Sequence, residues 1–290
     1  MRVAHMTDKP LSLEPGLYVT ATPIGNLGDI TYRAVETLKA ADLILCEDTR
    51  WTAKLCAAYG VKTRRAPYHD HNAAEVRPGV IKKLQDGARI CLVSDAGTPL
   101  ISDPGYKLVR AARDAGAKVF PVPGPAAAVA ALSAAGAPSD RFRFAGFLPA
   151  KSGAREKTLQ TLAAAEETLI FYETPARLAA SLAQMAETLG DRTAVVAREL
   201  TKLHEEFREG ALSDLAAHYA AHPPKGEIVI VAHPPKKRSA TADDLDAFLK
   251  TALADMTVRD AAAAAAEALG VKRGDAYARA LALKHHPESS

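Results

Sequence analysis

Short apolar runs bounded by glycine, proline and polar residues recur along the first half of the chain. Their leucine, β-branched and aromatic content predicts strands at residues 16–22, 41–46, 61–67, 89–93 and 118–122. Segments with helical periodicity lie between these strands, from residue 30, up to residue 58, and at 75–86 and 106–115. Because strands alternate with helices, we predict an α/β fold with a parallel, doubly wound sheet covered by helices.

The second half has a different pattern, since its strands lie closer together with fewer helices between them. An aromatic strand is predicted at 140–149, followed by strands at 168–172, 193–197 and 227–232 and helices at 153–164 and 176–189. This spacing predicts a smaller α+β domain with a mixed sheet. A helix of small residues at 126–135 follows the proline-rich segment 121–125, which is either part of a ligand loop or an ordinary interdomain link.

The chain is therefore predicted to contain a polar leader (1–14), an N-terminal α/β domain (15–124), a mixed α+β domain (125–235) and a helical tail (236–290). Two or three alanine-rich helices are expected within residues 242–283. A helix, a glycine turn and a second helix at 257–277 fit both a helix-turn-helix and a plain helical hairpin, and we favour the hairpin. The tail contains four cations that could meet phosphates: Arg259, Lys272, Arg273 and Arg279.

Composition and charge narrow the class of protein. The 290 residues, 48% of them hydrophobic, are enough for two domain cores. A net charge of +3 permits an anionic partner but is far from the dense positive charge of a nucleic-acid-binding arm. Cys46, Cys56 and Cys91 match neither a disulfide framework nor a zinc motif. Without a signal peptide or a run of roughly 18 apolar residues, we expect a cytoplasmic protein that does not span a membrane.

The strongest candidate for a ligand loop is the stretch LVSDAGTPLISDPG at residues 92–105. It follows a buried strand and breaks into small, acidic and turn-forming residues that cannot continue a sheet. In an open α/β sheet, ligands bind beyond the carboxyl ends of the strands. Gly97 and Gly105 would let backbone amides approach a ligand closely. We therefore predict that this stretch forms the floor of a binding cleft.

Three further strand ends carry candidate chemistry. The first loop, at 23–29, has Gly25 and Gly28 but not the glycine pattern of a dinucleotide site or a phosphate loop. CEDTR at 46–50 places four polar residues after a strand, although Asp48 or Thr49 could simply cap the next helix. YHDHN at 68–72 contains two histidines with no third ligand at a recognisable spacing, so no metal site is predicted.

Several motifs in a fixed order resemble one known family. They are ATPIGNLGDIT (21–31), CEDTR (46–50), YHDHN (68–72), VSDAGTPLISDPG (93–105), PVPGPAA (121–127), SAAGAPSDRFRFAGFLPAK (133–151), IFYET (170–174), ARELTK (197–202) and KGEIV (225–229). Together they are similar to the tetrapyrrole methylase superfamily, and within it to the ribosomal RNA small subunit methyltransferase I branch. The resemblance covers about residues 15–235, and a helical tail is also typical of that branch. One position departs from the family pattern, because Ala176 stands where a histidine is frequent.

The resemblance implies a two-domain enzyme, usually a homodimer, with S-adenosylmethionine folded in the cleft between the domains. It implies methylation of the ribose 2'-hydroxyl of a cytidine in 16S ribosomal RNA, as free RNA or in the 30S subunit. The implied cofactor contacts are Pro23, Gly25, Asp95, Gly97, Thr98, Ile101, Ser102, Asp103, Pro123, Gly124, Ala126, Ala127, Tyr172 and Glu173, with Glu199 and Glu227 as further candidates.

A ribose hydroxyl is a weak nucleophile, so a carboxylate that accepts its proton would assist such a reaction. Asp48, Asp103 and Glu173 are the candidates for this base, and Arg50, Lys202 and Arg273 are the candidates for RNA phosphate contacts. Two alternatives stay open: a methyltransferase acting on a tetrapyrrole or another small molecule, and a cofactor-binding module without catalysis.

Overall fold

The protein is described by a computed structural model at residues 12–103, 105–235 and 240–285. The chain divides into two compact units, which meet in the sequence at residue 235. Most of the predicted leader lies outside the described residues, as does most of the predicted linker after residue 235. Within the described part of the chain, no helix is long and apolar enough to cross a membrane.

The first sheet of the larger unit is parallel throughout, as the alternation of strands and helices predicts. Its spatial order is β3-β2-β4-β1-β5. The strands are β1 (Gly16–Thr20), β2 (Leu43–Cys46), β3 (Arg65–Pro67), β4 (Arg89–Leu92) and β5 (Val119–Val122). The central strands are apolar on both faces because helices cover both.

Four helices cover this sheet: α1 (Tyr32–Ala40), α2 (Thr49–Ala58), α3 (Ala73–Gln85) and α4 (Tyr106–Asp114). α1 and α2 contribute to the hydrophobic cluster on one face, and α3 and α4 contribute to the cluster on the other. The side chains of Thr31 and Asp48 cap α1 and α2 by accepting hydrogen bonds from backbone amides of the first turn. Because each of these helices follows the carboxyl end of a parallel strand, it begins at the carboxyl edge of the sheet, where the candidate loops lie.

The second sheet is mixed, which confirms the prediction for the second half of the chain. Its order is β6-β7-β10-β8-β9, with only β6 and β7 parallel. The strands are β6 (Phe142–Phe147), β7 (Thr168–Glu173), β8 (Thr193–Arg198), β9 (Glu206–Ala211) and β10 (Ile228–Ala232). α5 (Ala127–Ala134) packs on one face, and α6 (Ser152–Gln160), α7 (Leu178–Leu189) and α8 (Leu212–Ala221) pack on the other.

Two elements of this sheet domain, β9 and α8, are absent from the sequence prediction. β9 pairs only with β8, and its sequence EFREGA lacks an apolar stripe because it lies at the edge of the sheet. α8 carries a readable signal, since Leu212, Leu215, Ala216 and Tyr219 recur at helical spacing and are all buried.

The second unit consists of α9 (Ala242–Ala252), α10 (Val258–Leu269) and α11 (Arg273–His285). α9 begins with a capping box between Thr241 and Asp244, and α10 ends at Gly270 in the left-handed conformation. Alanines of α10 and α11 pack with leucines of α9 in one small core. The tail therefore has three mutually packed helices rather than an isolated hairpin.

Candidate functional site

A cavity of about 340 Å³ lies where the loops at the carboxyl edge of the parallel sheet meet the mixed sheet. This volume is in the range of small-molecule binding sites. Its wall combines small and apolar residues with a few carboxylates. The lining residues are Ile24, Asp95, Ala96, Gly97, Thr98, Ile101, Ser102, Asp103, Ala126, Ala127, Phe147, Tyr172, Glu173, Thr174, Pro175, Leu200, Gly226, Glu227, Ile228 and Val229.

Backbone and side-chain hydrogen bonds hold residues 94–98 in place from two sides. Thr22 and Gly97 exchange backbone hydrogen bonds of 2.9 and 3.1 Å, which tie the first loop to this stretch. The Thr98 hydroxyl donates to the Pro125 carbonyl at 2.9 Å. The predicted cleft floor is therefore fixed to both the β1 loop and the segment that leads into α5.

The turns beside the cavity contain backbone conformations that residues other than glycine rarely adopt. Among the described residues other than glycine, positive φ angles occur at Leu100, Ser102, Glu199 and Thr201. Leu100 and Ser102 belong to the loop after β4, and Glu199 and Thr201 belong to the turn after β8. Such conformations persist only where the surrounding structure enforces them, so both loops are shaped at a cost in backbone energy.

Two glycines allow the walls of the cleft to approach each other. A Cβ atom at Gly25 would lie 2.6 Å from Lys202 Cγ and 2.9 Å from the Leu200 carbonyl oxygen. Gly226 has a φ of +90°, and a Cβ atom there would overlap the Glu199 carboxylate. Gly25 does not line the cavity itself, but it seats the first loop against the β8 turn.

The charged groups of the cavity wall are all acidic within the part of the chain that the structure describes: Asp95, Asp103, Glu173 and Glu227. Burial raises the pKa of Asp103 to about 6, and the negative charge of Glu47 adds to this effect. Burial likewise raises the pKa of Glu47, with Asp95 as a further contributor. The cavity is thus a negatively charged environment that favours a cationic ligand.

The Glu173 carboxylate is buried, at 3% exposure, and fully engaged by its neighbours. Its Oε1 accepts a 2.7 Å hydrogen bond from the Thr174 amide and forms a 2.5 Å ion pair with Arg177. Its Oε2 accepts a 2.6 Å hydrogen bond from the Ser181 hydroxyl. Glu173 therefore joins the end of β7 to the start of α7, and these bonds occupy the oxygens that a general base would need.

Tyr172 connects the mixed sheet to α5. Its hydroxyl accepts a 3.2 Å hydrogen bond from the Ala128 amide, and Phe144 and Phe147 pack edge-on against its ring. Burial raises the pKa of Tyr172. Tyr172 consequently fixes the N-terminus of α5, where Ala126 and Ala127 line the cavity.

Asp48 lies beside the cavity rather than in its wall. Its carboxylate accepts from the Arg50 amide at 2.8 Å and pairs with the Arg50 guanidinium at 2.7 Å, which lowers the pKa of Asp48 to about 2. Its own amide donates to the Asp95 carboxylate at 3.0 Å. The helix-capping role is therefore confirmed for Asp48, and a carboxylate with so low a pKa is a weak base.

The predicted phosphate contacts lie in different surroundings. Lys202 Nζ bonds to Glu199 at 2.8 Å and to Glu227 at 3.0 Å, so its ammonium is already paired within the protein. Arg50 is exposed but shares its guanidinium with Asp48. Arg273 is exposed at the start of α11, in the separate C-terminal unit. The contact of these three cations with RNA stays a prediction.

Most of the predicted cofactor contacts converge on this cavity. Ten of the fourteen line it, whereas Pro23, Gly25, Pro123 and Gly124 lie outside its lining. Phe147, Leu200, Ile228 and Val229 line it without having been predicted. Ile228 and Val229 belong to the KGEIV motif, but their periodicity alone does not mark them as site residues, because a strand facing a cleft has the same pattern as a strand facing a core. Within the described ranges, no three His, Cys, Asp or Glu side chains are grouped to hold a metal ion.

Comparison with known proteins shows where this sequence and this fold recur. The family described as "Tetrapyrrole (Corrin/Porphyrin) Methylases" matches residues 16–216, and the "RsmI C-terminal HTH domain" matches residues 239–284. The second match corrects our preference for a plain hairpin in the tail. The physical reason is that helix, glycine turn and helix have the same spacing in both motifs, which differ in the angle between the two helices.

Two relatives and one solved structure illustrate the similarity. "Ribosomal RNA small subunit methyltransferase I" of Mesorhizobium japonicum is 52% identical, over 94% of this chain and 93% of its own length. The protein of the same name from Escherichia coli O157:H7 is 48% identical, over 91% and 94%. The structure of a cobalt precorrin-4 methyltransferase matches with a TM-score of 0.58 at 18% identity, over 75% of this chain and 94% of that one. Two sheets enclosing an acidic cleft, the family match over residues 16–216 and these near full-length relatives agree: the chain belongs to the tetrapyrrole methylase family.

Proposed function

We propose that this chain is an S-adenosylmethionine-dependent methyltransferase that methylates small-subunit ribosomal RNA, at the ribose 2'-hydroxyl of a cytidine. The observation that carries the proposal is a sequence identity of 48–52%, over nine-tenths of the chain, to relatives named ribosomal RNA small subunit methyltransferase I. The position of the ribose 2'-hydroxyl rests on the resemblance of the sequence motifs to that branch. A 30S subunit or its RNA is the expected partner, and a homodimer is the expected assembly.

The acidic cavity fits a cofactor that carries a positive sulfonium and a positive ammonium group. Asp95, Asp103 and Glu227 supply negative charge around it. Small residues at the start of α5, Ala126 and Ala127, leave room for a flat ring, and Ile228 and Val229 add apolar surface. We infer that the residues from Asp95 to Asp103 and the start of α5 would hold the cofactor.

When bound, S-adenosylmethionine supplies an activated methyl group. The chain's own contribution is to hold the acceptor hydroxyl in line, which for well-oriented groups can account for several kcal/mol of a barrier. Asp103 would accept the hydroxyl proton on one of its oxygens as the oxygen–methyl bond forms and the methyl–sulfur bond breaks. Its environment supports this role, since a pKa near 6 leaves it ionised at neutral pH yet more basic than an ordinary aspartate.

We expect the methylation rate to fall in acid as Asp103 becomes protonated. Because burial raises the pKa of Asp103 to about 6, the carboxylate form dominates above that pH and is lost below it. The value of kcat/KM should therefore drop about tenfold per pH unit below about 6. Rates measured across this range at cofactor concentrations well below KM, where kcat/KM reports the free enzyme, test the prediction, and a profile that stays flat down to the ordinary aspartate pKa contradicts it.

The function itself is tested with labelled S-adenosylmethionine and 30S subunits from a strain that lacks the corresponding methyltransferase. We expect label in RNA, and nuclease digestion should release a 2'-O-methylated cytidine. The same assay with protein-free 16S RNA distinguishes free RNA from the assembled subunit as substrate. Label found only in protein or in small molecules would contradict the proposal.

A further inference from the structure

Three large aromatic side chains stand exposed at the carboxyl edge of the parallel sheet. They occur in the first turns of the helices that follow β1, β2 and β4, which are neighbouring strands. Tyr32 is 81% exposed, Trp51 59% and Tyr106 69%. Aromatic side chains are normally covered by the core, so three at one edge of a sheet point to a surface with a binding role.

A cation lies close in the sequence to each of these aromatic residues. Arg33 and Lys107 follow Tyr32 and Tyr106 directly in the sequence, and all four side chains are exposed. The Lys54 ammonium lies 4.1 Å from the centroid of the Trp51 ring. We call the set formed by Tyr32, Arg33, Trp51, Lys54, Tyr106 and Lys107 the aromatic rim.

The aromatic rim adjoins the cavity. Tyr106 comes three residues after Asp103, which lines the cavity. Trp51 comes three residues after Asp48, whose amide bonds to the cavity-lining Asp95. Tyr32 begins the helix after the loop that contributes Ile24 to the wall. The aromatic rim therefore lies at the same edge of the sheet as the loops that line the cavity.

We propose that the aromatic rim binds single-stranded RNA beside the acceptor nucleotide, with bases stacked on its aromatic rings and phosphates paired with its cations. This inference rests on the proposed function and adds the surface that receives the substrate. Single-stranded RNA is recognised by aromatic platforms interleaved with positive charge. The positive charges of the aromatic rim favour RNA over another protein as its partner, and the acidic cavity itself would repel a phosphate chain.

Trp51 provides a direct probe because it is the single tryptophan of the chain. We expect protein-free 16S RNA to quench the fluorescence of Trp51 and to protect it from acrylamide. RNA that binds, as measured by filter retention, without changing either signal would overturn the proposal.

The matching kinetic test compares Trp51→Ala with Trp51→Phe, using 30S subunits as substrate. Loss of one stacking platform should raise KM for the subunit roughly 5- to 100-fold, while Trp51→Phe retains most of the affinity. The dissociation constant for S-adenosylmethionine should be unchanged in both variants, which also shows that they are folded. Tyr32→Ala and Tyr106→Ala should raise KM in the same direction.

Phe142→Ala is the matched control. Phe142 is 46% exposed at the start of β6, whereas Phe147 at the end of the same strand lines the cavity. Its truncation should leave KM unchanged.

Equal KM values for Trp51→Ala and the wild type would overturn the proposal. If both proteins still methylate RNA in that case, the proposed function is upheld. A Trp51→Ala protein that sediments as a smaller species would overturn it too, in favour of an interface between copies. A wild-type protein that methylates no RNA would contradict the proposed function instead.

Discussion

Asp103→Asn is expected to lower kcat by roughly 10²- to 10⁴-fold, the usual contribution of a general base. The amide has nearly the same size as the carboxylate but cannot accept a proton at neutral pH. Since Asp103 lines the cavity and has a pKa of about 6, it combines access with basicity better than Asp48, which has a pKa of about 2 and is paired with Arg50. Single-turnover methylation of 30S subunits measures the effect.

The control for this variant is Asp114→Asn, at the exposed end of α4, where Asp114 pairs with Arg110. It should retain the wild-type rate. Binding of S-adenosylmethionine by Asp103→Asn, measured by calorimetry, separates a defect in proton transfer from a defect in cofactor affinity. A variant that binds the cofactor and keeps the wild-type kcat would exclude Asp103 as the base.

Glu173→Ala is expected to lower the free energy of unfolding by about 3 kcal/mol. Removal of one partner from a buried ion pair typically costs about 3–5 kcal/mol, and the lower end applies because Arg177 remains a quarter exposed. The variant also leaves the Ser181 hydroxyl without its 2.6 Å acceptor. Denaturant unfolding monitored by circular dichroism measures the change.

Glu173→Gln discriminates between a structural and a catalytic role for this residue. The amide oxygen can still accept a hydrogen bond, so more than half of the lost stability should return, and methylation should return with it. If Glu173→Gln is as stable as the wild type but has lost methylation, the carboxylate itself takes part in the reaction, and the base would have to be reassigned.

Much of the fold follows from local pattern. The alternation of apolar runs with helical segments predicts the parallel sheet, because a strand covered on both faces has to be apolar throughout. This pattern does not predict β9, since an edge strand with one partner and an exposed surface needs no apolar stripe. A helical hairpin and a helix-turn-helix differ in the angle between their two helices, which sequence spacing does not encode.

The candidate site is predictable only in part. Residues 92–105 are recognisable as a ligand loop because their composition breaks a buried strand abruptly, and most of the described ones line the cavity. The role of Glu173 cannot be predicted in the same way, because its carboxylate contacts Ser181 and Arg177, which are brought to it only when α7 packs against the sheet. The ion pairs of Lys202 likewise depend on Glu227, which lies in another strand connection. Chemistry that is local in sequence can be predicted, whereas the pairing of distant charges requires the folded chain.

The order of strands in the two sheets affects how the molecule is made. β1 lies between β4 and β5, and β10 lies between β7 and β8. While the chain is being synthesised, β1 has neither neighbour until residues 89–92 exist, and β7 and β8 stay separate until residues 228–232 exist. Because Ile228 and Val229 belong to the cavity wall, the cleft is completed only when the last strand of the larger unit has been added. A nascent chain that stops short of β10 would therefore contain one finished sheet and an incomplete cavity wall.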